Sequence, residues 1–235
     1  MSADNPDFGI ETEYSQPIWL HDLLELSDEE TTALKERIEK HHGIIWLVVH
    51  PFYKLKDSER PRTEQLDIAQ FVTSSLKRPE ENTPAMVFME EEGNTDNLNL
   101  ISGCAKSGKN NCYCFHTYKD AGVPKFRGDL DSFDEDVISK NWLIIRQLFD
   151  NLGVKKVVIM GIAIGVHPLS SDQARLDTST SAYREQRKLK GALDTMYVPE
   201  GCAGTAARML AESFEVEISN MTFGKNIIEE YENIE

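Results

Sequence analysis

No apolar run in the chain reaches the length of a membrane span, so no helical anchor is expected within it. Cysteine is scarce. Cys104, Cys112, Cys114 and Cys202 are the only four, at irregular spacings, and paired C-x-x-C knuckles are lacking. That pattern excludes a disulfide framework and the strong form of a structural zinc signature. Positive charge is also short: 25 Lys and Arg stand against 40 Asp and Glu, for a formal net charge of -15. Such a surface repels phosphate backbones and anionic lipid, so neither nucleic acid nor membrane is expected as a partner. Internal repeats and low-complexity blocks are missing too. The stretch Met1–Gln16 is acidic and polar and lacks a basic-then-apolar leader. Export is therefore not expected, and the expectation is a cytoplasmic protein with reduced thiols.

Hydrophobic residues make up 40% of the 235-residue chain, enough for a sizeable core. Residues 1–16 read as a flexible tail and 17–235 as a single α/β domain. Ser27-Asp28-Glu29-Glu30 forms a capping box, so a helix should run to about His41, where Gly43 ends it. Ile44–His50 follows as a continuous apolar run closed by a histidine. A strand buried on both faces reads this way, and such strands belong to parallel sheets. The rhythm recurs: a helix near Thr63–Lys77, a strand at Ala85–Met89, a strand at Cys112–Tyr118 and a long amphipathic helix from Asp134 to Leu152. A strand at Lys156–Gly161 follows, then a helix from about Cys202 to Ser213 and a strand at Phe214–Ile218. The tail Asn226–Asn233 also looks helical. The expected fold is a three-layer α/β/α domain on a mostly parallel sheet of about five or six strands. Residues 92–111 and 162–200 interrupt the pattern and read as insertions, the first with a short strand at Leu98–Ser102, the second with none.

In an open parallel sheet, ligands bind beyond the carboxyl ends of the strands. His50 ends one core strand; Glu90, Glu91 and Glu92 follow another; His116 and Lys119 close a third; His167 comes soon after a fourth. Histidine suits proton transfer and metal ligation near neutral pH, although a strand-end histidine also serves simply by bonding a loop carbonyl. Cys112, Cys114 and His116 alternate along one strand face, roughly 7 Å from neighbour to neighbour, too far apart for a tetrahedral metal site. Small core cysteines are the favoured reading there. Gly103–Asn110 looks like a phosphate-binding loop, but Asn110 replaces the hydroxyl that should hold magnesium, and a strand rather than a helix is expected next.

Gly128-Asp129-Leu130-Asp131-Ser132 resembles the GDxDS metal-binding stretch of thiamin pyrophosphokinases. Its plainer reading is an acidic helix start capped by Ser132 or Asp134. Cys202 follows Pro199-Glu200-Gly201 and opens a helix rich in small residues, Ala203, Gly204, Ala206 and Ala207. A cysteine at a helix N-terminus is placed for nucleophilic chemistry, or is a small residue that allows close packing.

Taken together, Ile44–His50, Tyr118-Lys119 through Phe133, Gly153–Ala163 and Cys202-Ala203-Gly204-Thr205-Ala206 through Val216 resemble the isochorismatase-like cysteine hydrolases, which include nicotinamidases. That family has a parallel sheet with an Asp after the first strand, a Lys after a middle strand and a Cys opening a helix. Here His50 stands at the Asp position. Cys202 comes only after a long insertion, and aligning Thr205-Ala206 with the family's Thr-Ala puts Gly201 on the nucleophile. The resemblance implies a small-molecule hydrolase with Cys202 as nucleophile, His50 as base or orienter and Lys119 as electrostatic partner, without a cofactor. Two alternatives stand beside it. One is a non-catalytic binding or scaffold protein on the same fold, with 162–200 as its contact surface and a stable homo-oligomer or a partner as the expected outcome. The other is a metal-dependent enzyme using His50, His116 and His167 with Asp129 or Asp131.

Overall fold

The apolar runs form the centre of one six-stranded sheet. The computed structural model describes residues 20–52, 63–108, 110–118, 122–126, 135–162, 165–168 and 197–222. In chain order the elements are β1 (Leu20–Asp22), α1 (Asp28–Lys40), β2 (Ile44–Val49), α2 (Thr63–Leu76), β3 (Ala85–Glu91), α3 (Thr95–Gly108) and β4 (Cys112–Thr117). They continue with α4 (Glu135–Asn151), β5 (Lys156–Gly161), β6 (Gly165–Pro168), β7 (Tyr197–Glu200), α5 (Gly201–Leu210) and β8 (Glu215–Thr222).

The main sheet runs β1-β4-β3-β2-β5-β8, and every neighbouring pair in it is parallel. Both faces are covered, which explains why its central strands are apolar without alternation. Helices α1, α4 and α5 bury Leu34, Ile38, Trp142, Ile145, Phe149, Ala206 and Leu210 against one face. Helices α2 and α3 bury Ile68, Val72, Leu76, Ile101 and Ala105 against the other. From β2 the chain steps one way to β3 and β4, then returns through α4 to place β5 on the opposite side of β2. The strand order therefore reverses between β2 and β5, and their carboxyl ends bound the crevice where such sheets receive ligands. Among the described residues, no helix is long and apolar enough to cross a membrane.

The capping box forms as expected: the Ser27 hydroxyl accepts from the Glu30 backbone N–H at 3.3 Å, and the Ser27 N–H donates to Glu30 Oε2 at 2.7 Å. Two expectations are corrected. Residues 92–111 are not a loop insertion with a short strand, because α3 covers most of them. Their Gly, Asn and Lys content disguises a helical stripe: Leu98, Ile101 and Ala105 recur at steps of three and four and pack on the sheet. The resemblance to a phosphate-binding loop falls with it, since Gly103 lies inside the helix. The second correction concerns 162–200, expected to lack strands. Its two ends pair as the antiparallel ladder of β6 and β7, with Gly165 opposite Glu200. The three-residue β1 at the sheet edge was not anticipated from the sequence. Residues 1–16, Asn226–Asn233 and the proposed caps Ser132 and Asp134 lie outside the described residues.

Candidate active site

His50 is the first residue after β2, at the point where the strand order reverses. Its backbone takes φ +42°, in the left-handed region that a β-carbon disfavours. Non-glycine residues held this way cost about 1–3 kcal/mol and cluster at functional sites. The surroundings impose the conformation. The His50 N–H donates to the Met89 carbonyl at 3.2 Å, and the preceding Val49 carbonyl accepts from the Ile162 N–H at 2.7 Å. Gly161 makes that second contact feasible: at φ +113°, a β-carbon there would lie 2.0 Å from the Val49 oxygen. The ends of β2 and β5 thus touch backbone to backbone, and the chain can only leave β2 by turning sharply at His50.

That turn buries the imidazole, which is 3% exposed. Its Nδ1 lies 3.3 Å from Oε2 of Glu90, a carboxylate with no solvent exposure near the end of β3. The same oxygen accepts from Asn97 Nδ2 of α3 at 3.5 Å, and the Thr117 hydroxyl of β4 donates to the Glu90 carbonyl at 3.4 Å. From the other face comes Cys202, the second residue of α5. It is partly buried against the core and lies close enough to the His50 ring to raise that ring's pKa.

Cys202 arrives there because of the β6–β7 ladder. The chain leaves β5 at Gly161, enters β6 at Gly165 and returns beside it in β7, which passes directly into α5. A nucleophile candidate some forty residues away in sequence is thereby brought back to the end of β5. A second loop closes over it. Gly122 at φ +60° lies so near that a β-carbon there would be 2.8 Å from Cys202 Cα and 3.4 Å from its sulfur. The Tyr118 N–H donates to the Val123 carbonyl at 3.0 Å and the Lys125 N–H to the His116 carbonyl at 2.8 Å. Asn141 Nδ2, buried in α4, donates to the Pro124 carbonyl at 2.8 Å.

Burial alone would drive His50 towards neutrality. Its hydrogen bonds with Cys202 and Glu90, and their negative charge, outweigh burial and raise its pKa to about 10. The arrangement is a buried imidazole held between a carboxylate and a thiol, able to take a proton from sulfur and return it. Burial pushes Cys112 and Cys114 up, Cys114 to about 12, as fits the favoured reading of small core cysteines.

The sequence-based candidates distribute unevenly. His50 and Cys202 meet. Lys119, Asp129 and Asp131 lie outside the described residues. His116 is half-buried on β4, directly across from Glu90 in the ladder, and His167 lies in β6. Among the described residues, no three His, Cys, Asp or Glu side chains group as metal ligands. Sequence reasoning noticed Glu90 only as one of three acids after a strand. The available signal was parity: Glu90 falls on the same alternating set as Met86 and Phe88, both fully buried. Gly122 and Gly161 carried no signal that distinguished them from turn glycines. Comparison with known proteins finds no family model, no curated protein and no solved structure that matches the chain.

Proposed function

We propose that the chain is a thiol-dependent hydrolase acting on a small acyl compound, with Cys202 as nucleophile and His50 as its proton acceptor. The single observation that carries the reading is a buried, carboxylate-bound histidine at the point where strand order reverses, with Cys202 at the start of α5 close enough to shift its pKa.

The reaction follows in two balanced halves. His50 accepts the thiol proton ahead of attack, in the imidazolium form that its raised pKa favours, and the sulfur then bonds to the acyl carbon. Backbone N–H groups at the start of α5, Ala203 to Thr205, stabilise the oxyanion. Collapse breaks the bond to the leaving group, which departs with the proton from His50. Water then attacks the thioester, His50 takes its proton, and the acid is released as that proton returns to sulfur. The resemblance to isochorismatase-like cysteine hydrolases supports the same reading and adds Lys119 as electrostatic partner. The pairing of β6 with β7 accounts for the long insertion before the cysteine, since it returns Cys202 to the end of β5.

A p-nitrophenyl ester serves as the probe. The account expects a burst of nitrophenolate and one acyl group on the Cys202 peptide, with His50→Ala slowing acylation by about 10²-fold or more. An unmodified Cys202 and no burst would sink the hydrolase and leave the binding-module reading in its place.

A further inference from the structure

We infer that Glu90 is the positioning residue of this site: its carboxylate, 3.3 Å from Nδ1, fixes the tautomer of the His50 ring and leaves Nε2 as the atom that exchanges a proton with Cys202. The inference rests on the thiol reading proposed above, and deepens it.

Glu90 continues a strand face that is otherwise apolar. Met86 and Phe88 precede it at the same parity and fill the core beneath α2 and α3. An apolar side chain there would avoid the cost of burying an ionisable carboxyl, which is large unless the group is paired. Glu90 is nevertheless wholly buried and fixed from three elements: β2 through His50 Nδ1, α3 through Asn97 Nδ2, and β4 through the Thr117 hydroxyl on its backbone carbonyl. Its second oxygen, Oε1, has no hydrogen-bond partner among the described residues. The carboxylate is thus committed to the ring rather than to a structural ion pair.

An imidazole with Nδ1 given to a carboxylate keeps only Nε2 for another partner, and its tautomer is set by the first bond. When His50 accepts the thiol proton, the adjacent carboxylate also stabilises the resulting cation. The titratable groups facing His50 are Glu90 from β3 and Cys202 from α5. Behind Glu90 stand Cys114 and His116 of β4.

The test uses the full chain with isotope-labelled histidine. Glu90→Gln keeps the shape and removes the charge. The His50 titration midpoint is expected to fall by at least about one pH unit, and iodoacetamide labelling of Cys202 at neutral pH to slow about tenfold. Glu90→Asp, which keeps the charge one methylene further back, should recover part of both effects. A merely structural carboxyl would lower thermal stability without moving the His50 midpoint, and an unchanged midpoint in Glu90→Gln overturns the inference. Should that variant not fold, the unmodified protein still decides. Above its midpoint the neutral His50 ring is expected to keep its proton on Nδ1; a proton on Nε2 instead would contradict the assignment. A Cys202 that does not react in the unmodified protein removes the hydrolase but leaves the His50 titration result standing, so the two failures separate.

Discussion

Two adjacent backbone contacts decide whether His50 can occupy its place. Gly161 is the more exposed to test, because a β-carbon there meets backbone rather than a yielding side chain. Gly161→Ala is expected to destabilise the fold by about 2–4 kcal/mol in denaturant titration, from the clash and the positive φ together. His50 itself gives the fold a pH dependence. Its folded-state pKa is raised to about 10, above an unfolded value of about 6.5. The contribution is therefore fully present below about pH 6.5 and is lost as pH rises through about 10. Across that window the unmodified protein should lose stability that His50→Gln does not lose, measured as the difference between their unfolding free energies. At this scale the sequence was informative where chemistry coincides with an element end. His50 closes an apolar run and Cys202 opens a helix, and both ends are visible as changes in periodicity. Glu90 lies inside its strand, where an acid reads as the start of the following loop. Its parity with Met86 and Phe88 is the one signal of burial, and α3 and β4 supply the cover.

Among the elements, α1 shows how a buried charge ties layers together. Arg37 projects from its inner face and donates to the carbonyls of Thr83, Pro84 and Asn111, and to Glu80 Oε1 at 3.3 Å. Burial lowers its pKa, while Glu80 works against that shift. Arg37→Met keeps much of the apolar stem but leaves three carbonyls unpaired. A loss of about 2–4 kcal/mol is expected, with Arg37→Lys recovering little because an ammonium cannot span the same carbonyls. The elements that could be read from the chain were those with strong local signals: the capping box of α1, the apolar cores of β2 and β5, and the amphipathic stripe of α4. Helix α3 was unreadable because Gly and Asn lower its local propensity, and burial of Ile101 and Ala105 against the sheet overrides that preference. The β6–β7 ladder was unreadable for a different reason. Its strands are four residues each and, among the described residues, pair only with one another, across a long stretch of intervening sequence.

For the molecule as a whole, the fold class followed from alternation of apolar strands with helices, and the sheet is parallel throughout. What the alternation could not specify was strand order, and with it the location of the reversal between β2 and β5. That reversal turns a strand-end histidine into a candidate site. The net charge of -15 acts at the same scale. Self-repulsion opposes the compact state and is screened over about 10 Å at 0.1 M salt, so the thermal midpoint should rise as salt increases from low to physiological strength. An unchanged or falling midpoint would show that local ion pairs outweigh the overall field.

The central claim is that Cys202 and His50 act as one unit. The most direct measurement is the rate of iodoacetamide labelling at each cysteine of the native protein at neutral pH, read by peptide mass spectrometry, with and without His50→Ala. The account predicts that Cys202 is labelled well ahead of the buried Cys112 and Cys114, and that His50→Ala slows it by about tenfold or more. A Cys202 that stays unlabelled, or that reacts at the same rate without His50, would contradict it.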